Sequence, residues 1–217
     1  MHDFSDLEPL AKDLPQTKRG HERCLAILLS ANELFVKQGY EAVSLDDIVQ
    51  HAGGSKASIY KYFGNKEGLF KAICDYRSEQ FHLDIKSSFE QENEDLKTYL
   101  NRILNNFLSH IFRPESISFI RLVLTQTQKN PELALYIHEN GAKFIQNLIA
   151  QKLAQAHEAG EIYCAEPFLS AMYYFGILRD YEWQIILGVN SDLNVQEVNN
   201  YIAYCVDLFL DGHQKVK

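Results

Sequence analysis

Proline is scarce in this chain: five residues in 217, with Pro9 and Pro15 inside the first fifteen positions and Pro114, Pro131 and Pro167 far apart in the rest. Proline ends helices by removing a donor and clashing with the preceding turn, so the long stretches without it leave room for extended helices. The four cysteines, Cys24, Cys74, Cys164 and Cys205, contain no C-x-x-C pair, and the eight histidines contain no H-x-x-x-H pair. Structural and catalytic metal sites draw on such short ligand spacings. No metal and no other cofactor is therefore expected, and the cysteines read as reduced thiols packed within apolar patterns. Also missing are G-x-S-x-G, a phosphate-cradling glycine loop and H-E-x-x-H, which removes the common hydrolase, nucleotide-binding and metalloprotease readings. No apolar run approaches the ~20 residues needed to cross a bilayer, and the acidic start MHDFSDLEPL lacks the basic-then-apolar order of a secretory leader. The expectation is a cytoplasmic protein with no membrane partner and no enzyme activity.

Hydrophobic residues make up 46% of the chain, enough to build a core and too many for a disordered segment. The formal net charge of −8 at first argues against a polyanionic partner. It is unevenly spread. Residues 16–72 carry eight Lys/Arg against six Asp/Glu, a net of +2, whereas residues 73–217 carry twelve against nineteen, a net of −7. A mildly basic head on an acidic body is compatible with nucleic-acid binding by the head alone.

Helical periodicity starts near Lys18 and accounts for the rest. Ile27, Ala31, Leu34 and Phe35 share one stripe, which Gly39 closes. Ser44 then stands as an N-cap with Asp46 and Asp47 in the first turn, and Ser44 with Asp47 fits the S-x-x-[DE] form of a capping box, although aspartate is shorter than the usual glutamate. A short helix over 45–52 ends at Gly53-Gly54. Ser55 caps another from Lys56 to Phe63, and Lys66 opens a helix without a breaker before about Ser87. Further helices are expected over 96–111, from Ile117 to Asn130, 132–159, 167–188 and 195–210. The fold class is all-α with about nine helices. The domain reading is a flexible N-terminal tail (1–16), a helix-turn-helix DNA-binding head (17–65) and a ligand-binding and dimerisation body (66–217).

Two short helices around a glycine turn form a corner in which the first helix braces and the second projects its N-terminus into a major groove. Gly53 suits the left-handed conformation such a turn requires. In the second helix Ile59 and Phe63, four apart, face the core, leaving Lys56, Ser58, Tyr60, Lys61 and Tyr62 exposed or partly exposed. Lysines and tyrosine hydroxyls bind phosphates, while short polar side chains near a helix start reach base edges.

The stretch ILLSANELFVKQGYEAVSLDDIVQHAGGSKASIYKYFGNKEGLF resembles the N-terminal domain of the TetR family of transcriptional regulators. Matching positions include Ala31, Leu34-Phe35, Gly39-Tyr40, Ser44, Ile48, Ala52-Gly53, Ser55-Lys56, Tyr60, Tyr62-Phe63, Lys66-Glu67 and Leu69-Phe70. The resemblance implies a homodimer whose two heads read a near-palindromic double-stranded DNA operator. By position it assigns DNA contacts to Ser44, Lys56, Ser58, Tyr60, Lys61, Tyr62 and Lys66, with Ser55 and Ala57 in the same segment. Tyr60 and Lys66 resemble phosphate anchors; Lys56, Ala57, Ser58 and Lys61 resemble base-facing positions. Gly54 departs from the family, which has a small branched apolar residue there. Val49 stands where alanine is usual and is expected to fill the volume Gly54 leaves, so that Gly54→Val would raise the melting temperature.

The runs FIRLVLTQTQKNPELALYIHENG and GEIYCAEPFLSAMYYFGILRD resemble the C-terminal domain of an AefR-like subgroup. The resemblance implies a small-molecule inducer and a four-helix bundle between subunits built from the last two helices, 167–188 and 195–211. Apolar faces with Phe168, Met172 and Phe175, and with Ile202, Val206 and Phe209, suit that bundle. Candidates to line or orient an apolar or aromatic ligand are Phe107, His110, Arg121, Phe144, Tyr174, Arg179 and Trp183. Repression relieved by a ligand is the family's mode, with the helix from Lys66 as the lever between head and body. Two other readings stay open: a regulator of the same fold that answers to a protein partner or to nothing, and a helical small-molecule binder or enzyme without a DNA role.

Overall fold

The computed structural model describes residues 17–89, 94–189 and 194–214; the expected N-terminal tail over 1–16 lies outside them. The described residues form eleven α-helices and no strand: α1 (Lys18–Gln38), α2 (Leu45–Ala52), α3 (Lys56–Phe63), α4 (Lys66–Phe89), α5 (Leu96–Ile111), α6 (Pro114–Thr127), α7 (Pro131–Asn140), α8 (Ala142–Glu158), α9 (Pro167–Gly176), α10 (Arg179–Leu187) and α11 (Val195–Asp211). The all-α class holds. The helix number exceeds the expected nine because two stretches read as continuous are each broken once. The 132–159 stretch divides at Gly141, which takes a non-helical conformation ahead of α8. The 167–188 stretch divides at Ile177-Leu178, whose amides donate to Tyr174 and Phe175. These three-residue spacings tighten the turn and interrupt the α ladder.

The helices divide into two compact units. One comprises the described residues up to 82 together with 121–137; the other comprises 83–120 and the described residues from 138 onward. In the first unit α1 packs on α2 and α3, and Ile27, Leu28, Ala31, Phe35, Ile48, Ile59, Leu69 and Ile73 are all buried. Each of the isoleucine, leucine and phenylalanine side chains contributes about 1.5–3 kcal/mol on leaving water. The rings of Phe35, Tyr40 and Phe70 meet pairwise at 5.1, 6.0 and 5.2 Å between centroids. The corner between α6 and α7 belongs to this unit through polar contacts. Lys129 Nζ pairs with Glu41 Oε1 at 2.5 Å, Asn130 donates to Glu67 Oε1 at 3.1 Å, and the Tyr136 hydroxyl donates to the Asp75 carboxylate.

In the second unit α5 buries Tyr99, Leu100, Ile103, Leu104, Phe107 and Leu108, packing on α8 and α11, while α8 also packs on α9. Asp95 caps α5 by accepting from the Thr98 amide at 2.9 Å. The outward face of the last helices is largely apolar, with Asp180 and Asp211 within it. On α9 and α10 Leu169, Tyr173, Gly176, Asp180, Trp183 and Leu187 are all exposed at spacings of four and three residues, and on α11 Tyr201, Tyr204, Leu208 and Asp211 repeat the pattern. The two faces are continuous: the Tyr201 hydroxyl donates to the Ile177 carbonyl at 3.2 Å, and the Tyr181 and Tyr201 rings lie 5.2 Å apart. This stripe differs from the one expected. Phe175, Ile202, Val206 and Phe209 point into the unit's own core, and of the six residues named from the pattern only Phe168 and Met172 are exposed. A helix apolar on two faces does not reveal from sequence which face its own fold uses.

Candidate nucleic-acid interface

The corner is set by its caps. The Ser44 side chain accepts from the Asp47 amide at 3.2 Å, while Asp47 Oδ2 accepts from the Ser44 amide at 2.7 Å and from the Ser44 hydroxyl at 2.6 Å. Aspartate therefore closes the full capping box despite its length, and these bonds hold its carboxyl below the usual carboxylate range. Gly53 ends α2 at φ 65°, a region open to glycine without steric cost. Ser55 starts α3 by accepting from the Ser58 amide at 3.3 Å, with the two serine hydroxyls 3.2 Å apart. The Gly64 amide donates to Tyr60 O at 3.1 Å and closes the helix, and Asn65 accepts from the Gly68 amide at 2.7 Å to open α4.

Along α3 the side chains separate by depth. Ile59 is fully buried and Phe63 nearly so, whereas Tyr60 is 55% exposed and Lys56, Ala57 and Lys61 lie on the surface. Ser58 is half-buried. Tyr62 departs from the expectation of exposure: its ring is buried at 9%, edge-on to Phe63 at 6.4 Å, with Lys61 Nζ 5.4 Å from its centroid. Its place three residues after Ile59 puts it on the packing side of so short a helix.

The cations are not equally available. Lys56 Nζ pairs with Asp46 Oδ2 at 2.8 Å across the turn, an exposed contact that raises the lysine's pKa. Such surface pairs are worth about 0–1 kcal/mol, so a phosphate or base can replace the carboxylate at little cost. Lys66 Nζ lies 4.3 Å from the Tyr40 ring centroid and 5.7 Å from that of Phe35, and burial lowers its pKa. This surface offers cations, hydroxyls and a phenol around the start of one short helix, which is what binding a phosphate backbone and touching base edges requires.

Sequence reasoning missed Arg23. Its Nη1 donates to the Gly53 carbonyl at 2.5 Å across thirty residues, so α1 fastens the turn from behind. The same contact reverses the expectation for Gly54. This residue takes φ 154°, and a Cβ there would fall on the Arg23 guanidinium. The backbone conformation favours glycine, and a Cβ would displace the end of the Arg23 side chain from its place beside the turn.

The ligand candidates are dispersed. Arg121 is exposed and lies in the first unit, the others in the second. Phe107 is buried edge-on to Phe175 at 4.7 Å, Phe144 is half-buried, and His110 Nδ1 lies 3.2 Å from Asp84 Oδ2. Arg179 pairs with Glu182 on the surface at 3.2 Å, and Trp183 is exposed within the outer stripe. Tyr174 is fully buried, and its hydroxyl has no hydrogen-bond partner among the described residues. Cys24, Cys74 and Cys164 are buried and Cys205 half-buried, all free thiols. No helix among the described residues is long and apolar enough to cross a membrane.

Comparison with known proteins agrees with this geometry. Residues 27–73 match the model of bacterial regulatory proteins of the tetR family, and residues 98–214 match the C-terminal domain of AefR-like transcriptional repressors. The HTH-type transcriptional repressor ComR of Escherichia coli (strain K12) is 30% identical over 141 residues, spanning 63% of this chain and 66% of that protein. Among solved structures, a TetR-family transcriptional regulator from Mesorhizobium loti superposes with a TM-score of 0.81 at 22% identity, covering 92% of this chain and all of that one. The flavonoid-responsive regulator FrrA superposes with a TM-score of 0.78 at 25% identity, covering 90% of this chain and 98% of that one.

Proposed function

The chain belongs to the tetR family of bacterial regulatory proteins and carries an AefR-like C-terminal domain, and on that premise we propose that it is a ligand-responsive repressor acting in the cytoplasm as a homodimer on a near-palindromic operator. The observation that carries the reading is the capped corner with Lys56, Tyr60 and Lys61 exposed on α3. In it Tyr60 and Lys66 hold phosphates, and Lys56, Ala57, Ser58 and Lys61 face bases. Ser44 and Ser55 act chiefly by fixing the helix starts, and the buried Tyr62 carries the packing that orients Tyr60. The exposed stripe of α9–α11 is the dimer face. Footprinting with DNA flanking the protein's own gene is expected to protect one near-palindromic stretch, released by an aromatic compound from a panel that includes flavonoids. The reading fails if no stretch is protected, or if the complex ignores every compound that shifts the protein's melting temperature.

Tyr60→Phe is expected to weaken binding to operator and to unrelated DNA alike by about 1 kcal/mol, the worth of one net hydrogen bond. Fluorescence anisotropy on both DNAs checks this, and an unchanged affinity on both would show that Tyr60 only packs.

The ligand half of the reading is supported by Tyr174 and by the aromatic ligand class in the name of FrrA. A buried hydroxyl without a partner costs about 1–3 kcal/mol, a loss that an acceptor on a bound ligand recovers. Tyr174→Phe is therefore expected to stabilise the free protein by about 1 kcal/mol while raising the inducer concentration needed for release. Thermal melting and operator-release titration measure the two halves. A variant that is less stable, or releases with unchanged inducer dependence, removes Tyr174 from the ligand site. Release itself follows by linkage: an inducer that favours a state in which the two heads no longer match half-sites about 34–36 Å apart lowers operator affinity.

A further inference from the structure

Lys66, Lys129, Glu41 and Glu67 come together where the α6–α7 corner meets the start of α4. Lys66 lays its Nζ 4.3 Å from the Tyr40 ring centroid. Glu41 follows Tyr40 in the chain and Glu67 follows Lys66, so two carboxylates flank that one cation. Burial, then Glu67 and Glu41, push the Tyr40 phenol above its usual range. Glu41 also opposes the lowering that burial imposes on Lys66, and Lys66 adds to the stronger hold of Lys129 on the Glu41 carboxyl.

Neither carboxylate pairs with Lys66 among the described residues. Glu41 Oε1 is taken by Lys129 Nζ at 2.5 Å, and Glu67 Oε1 accepts from Asn130 Nδ2 at 3.1 Å. The backbone beneath these two partners is fixed. The amides of Lys129 and Asn130 both donate to the Gln126 carbonyl, at 3.0 and 3.1 Å, and Asn130 Oδ1 caps α7 by accepting from the Leu133 amide at 3.1 Å.

The Lys129–Glu41 pair is 65% and 67% exposed, and a pair so placed adds little to stability. Its larger effect is on where the Glu41 charge goes. Lys66 and Lys129 balance Glu41 and Glu67. Without Lys129 the same group carries a net negative charge, and the freed Glu41 carboxylate turns to the Lys66 ammonium it already attracts. A lysine neutralised in this way gains less from a phosphate and contributes less to counterion release.

Resting on the DNA-binding reading above, we propose that Lys129 is a positioning residue for DNA binding: by holding Glu41 it keeps the Lys66 ammonium available to a backbone phosphate, without touching DNA itself. A phosphate contact carries no sequence information, so the effect falls on operator and unrelated DNA alike.

The test titrates the full-length protein by fluorescence anisotropy on both DNAs, comparing wild type with Lys129→Ala, Glu41→Gln and the double variant. Lys129→Ala is expected to bind about three- to fivefold more weakly, the range of an exposed charge pair, with the slope of log affinity against log salt shallower by about 1. Glu41→Gln in that background is expected to restore affinity and slope, and to do less in wild type, where Lys129 already holds the carboxylate. Once Lys66 is alanine, Lys129→Ala is expected to cost nothing further. An unchanged affinity in Lys129→Ala overturns the assignment. So does a double variant as weak as Lys129→Ala alone, which makes the corner a packing element only, or an equal loss in the Lys66→Ala background, which makes Lys129 act on DNA directly. Each of these leaves the DNA-binding reading intact; a wild type that protects no DNA overturns both.

Discussion

Replacing Tyr204 and Leu208 together with glutamate is expected to convert the protein to a folded monomer and to reduce operator affinity by about 10²–10⁴-fold. Both side chains are exposed on α11, on the face opposite Ile202, Val206 and Phe209, which fill the core of their own unit. The substitutions therefore remove little that the single chain uses, and the helix content and melting of the monomer are expected to stay near those of an ordinary surface variant. In a two-fold dimer the same patch meets itself, so two new carboxylates on each subunit bring four like charges into one desolvated seam. The loss of affinity follows from effective concentration. Two linked heads make the second half-site contact intramolecular, and a monomer forfeits that gain without losing any contact in its own head. Light scattering after size exclusion gives the mass, and a gel shift gives the affinity. A variant that stays dimeric, or a monomer that binds the operator as tightly as wild type, would place the interface elsewhere.

What was legible in the sequence was local chemistry. Ser44 with Asp47, Ser55, and the glycines at 39 and 53 each act within one turn of their own position, and the caps form where the pattern put them. Helix existence was legible for the same reason, since apolar spacing in α1 and α5 repeats over about three to four turns. The break at Gly141 carries a local signal in Asn140-Gly141 that the reading of one long helix passed over. The break at Ile177-Leu178 was hidden because apolar residues continue across it. Only the packing of neighbouring helices decides that the ladder stops there. Arg23 was hidden for a different reason. Its partner is a backbone carbonyl thirty residues away, and no local pattern encodes a side chain reaching across a turn. The α6–α7 corner is a third case. Lys129 and Asn130 look like an ordinary solvated link, and only the fold brings them onto Glu41 and Glu67. The outer stripe shows the limit of periodicity, because α11 is apolar on two sides and depth, not spacing, separates Val206 from Tyr204.

Gly54→Val is expected to lower the melting temperature by roughly 5–15 °C, the opposite of what the local sequence suggests. Two costs combine. At φ 154° a β-branched residue sits in backbone space open essentially to glycine, a strain of about 1–3 kcal/mol. The new Cβ also falls on the Arg23 guanidinium. That side chain is flexible and can swing aside, but doing so breaks its bond to the Gly53 carbonyl, a net loss of about 1 kcal/mol or more. For a chain of this size each kcal/mol moves the midpoint by about 2–4 °C. Arg23→Ala separates the two costs. Alone it removes the Gly53 bond and is expected to lower the midpoint modestly. In that background Gly54→Val meets no guanidinium, so its remaining effect measures the backbone strain. Thermal melts of the two single variants and the double variant complete the cycle. A rise in melting temperature for Gly54→Val with Arg23 present would restore Val49 as the filler of an under-packed turn. A Gly54→Val effect that vanishes once Arg23 is alanine would show that the glycine is kept for the arginine alone and not for its backbone angle.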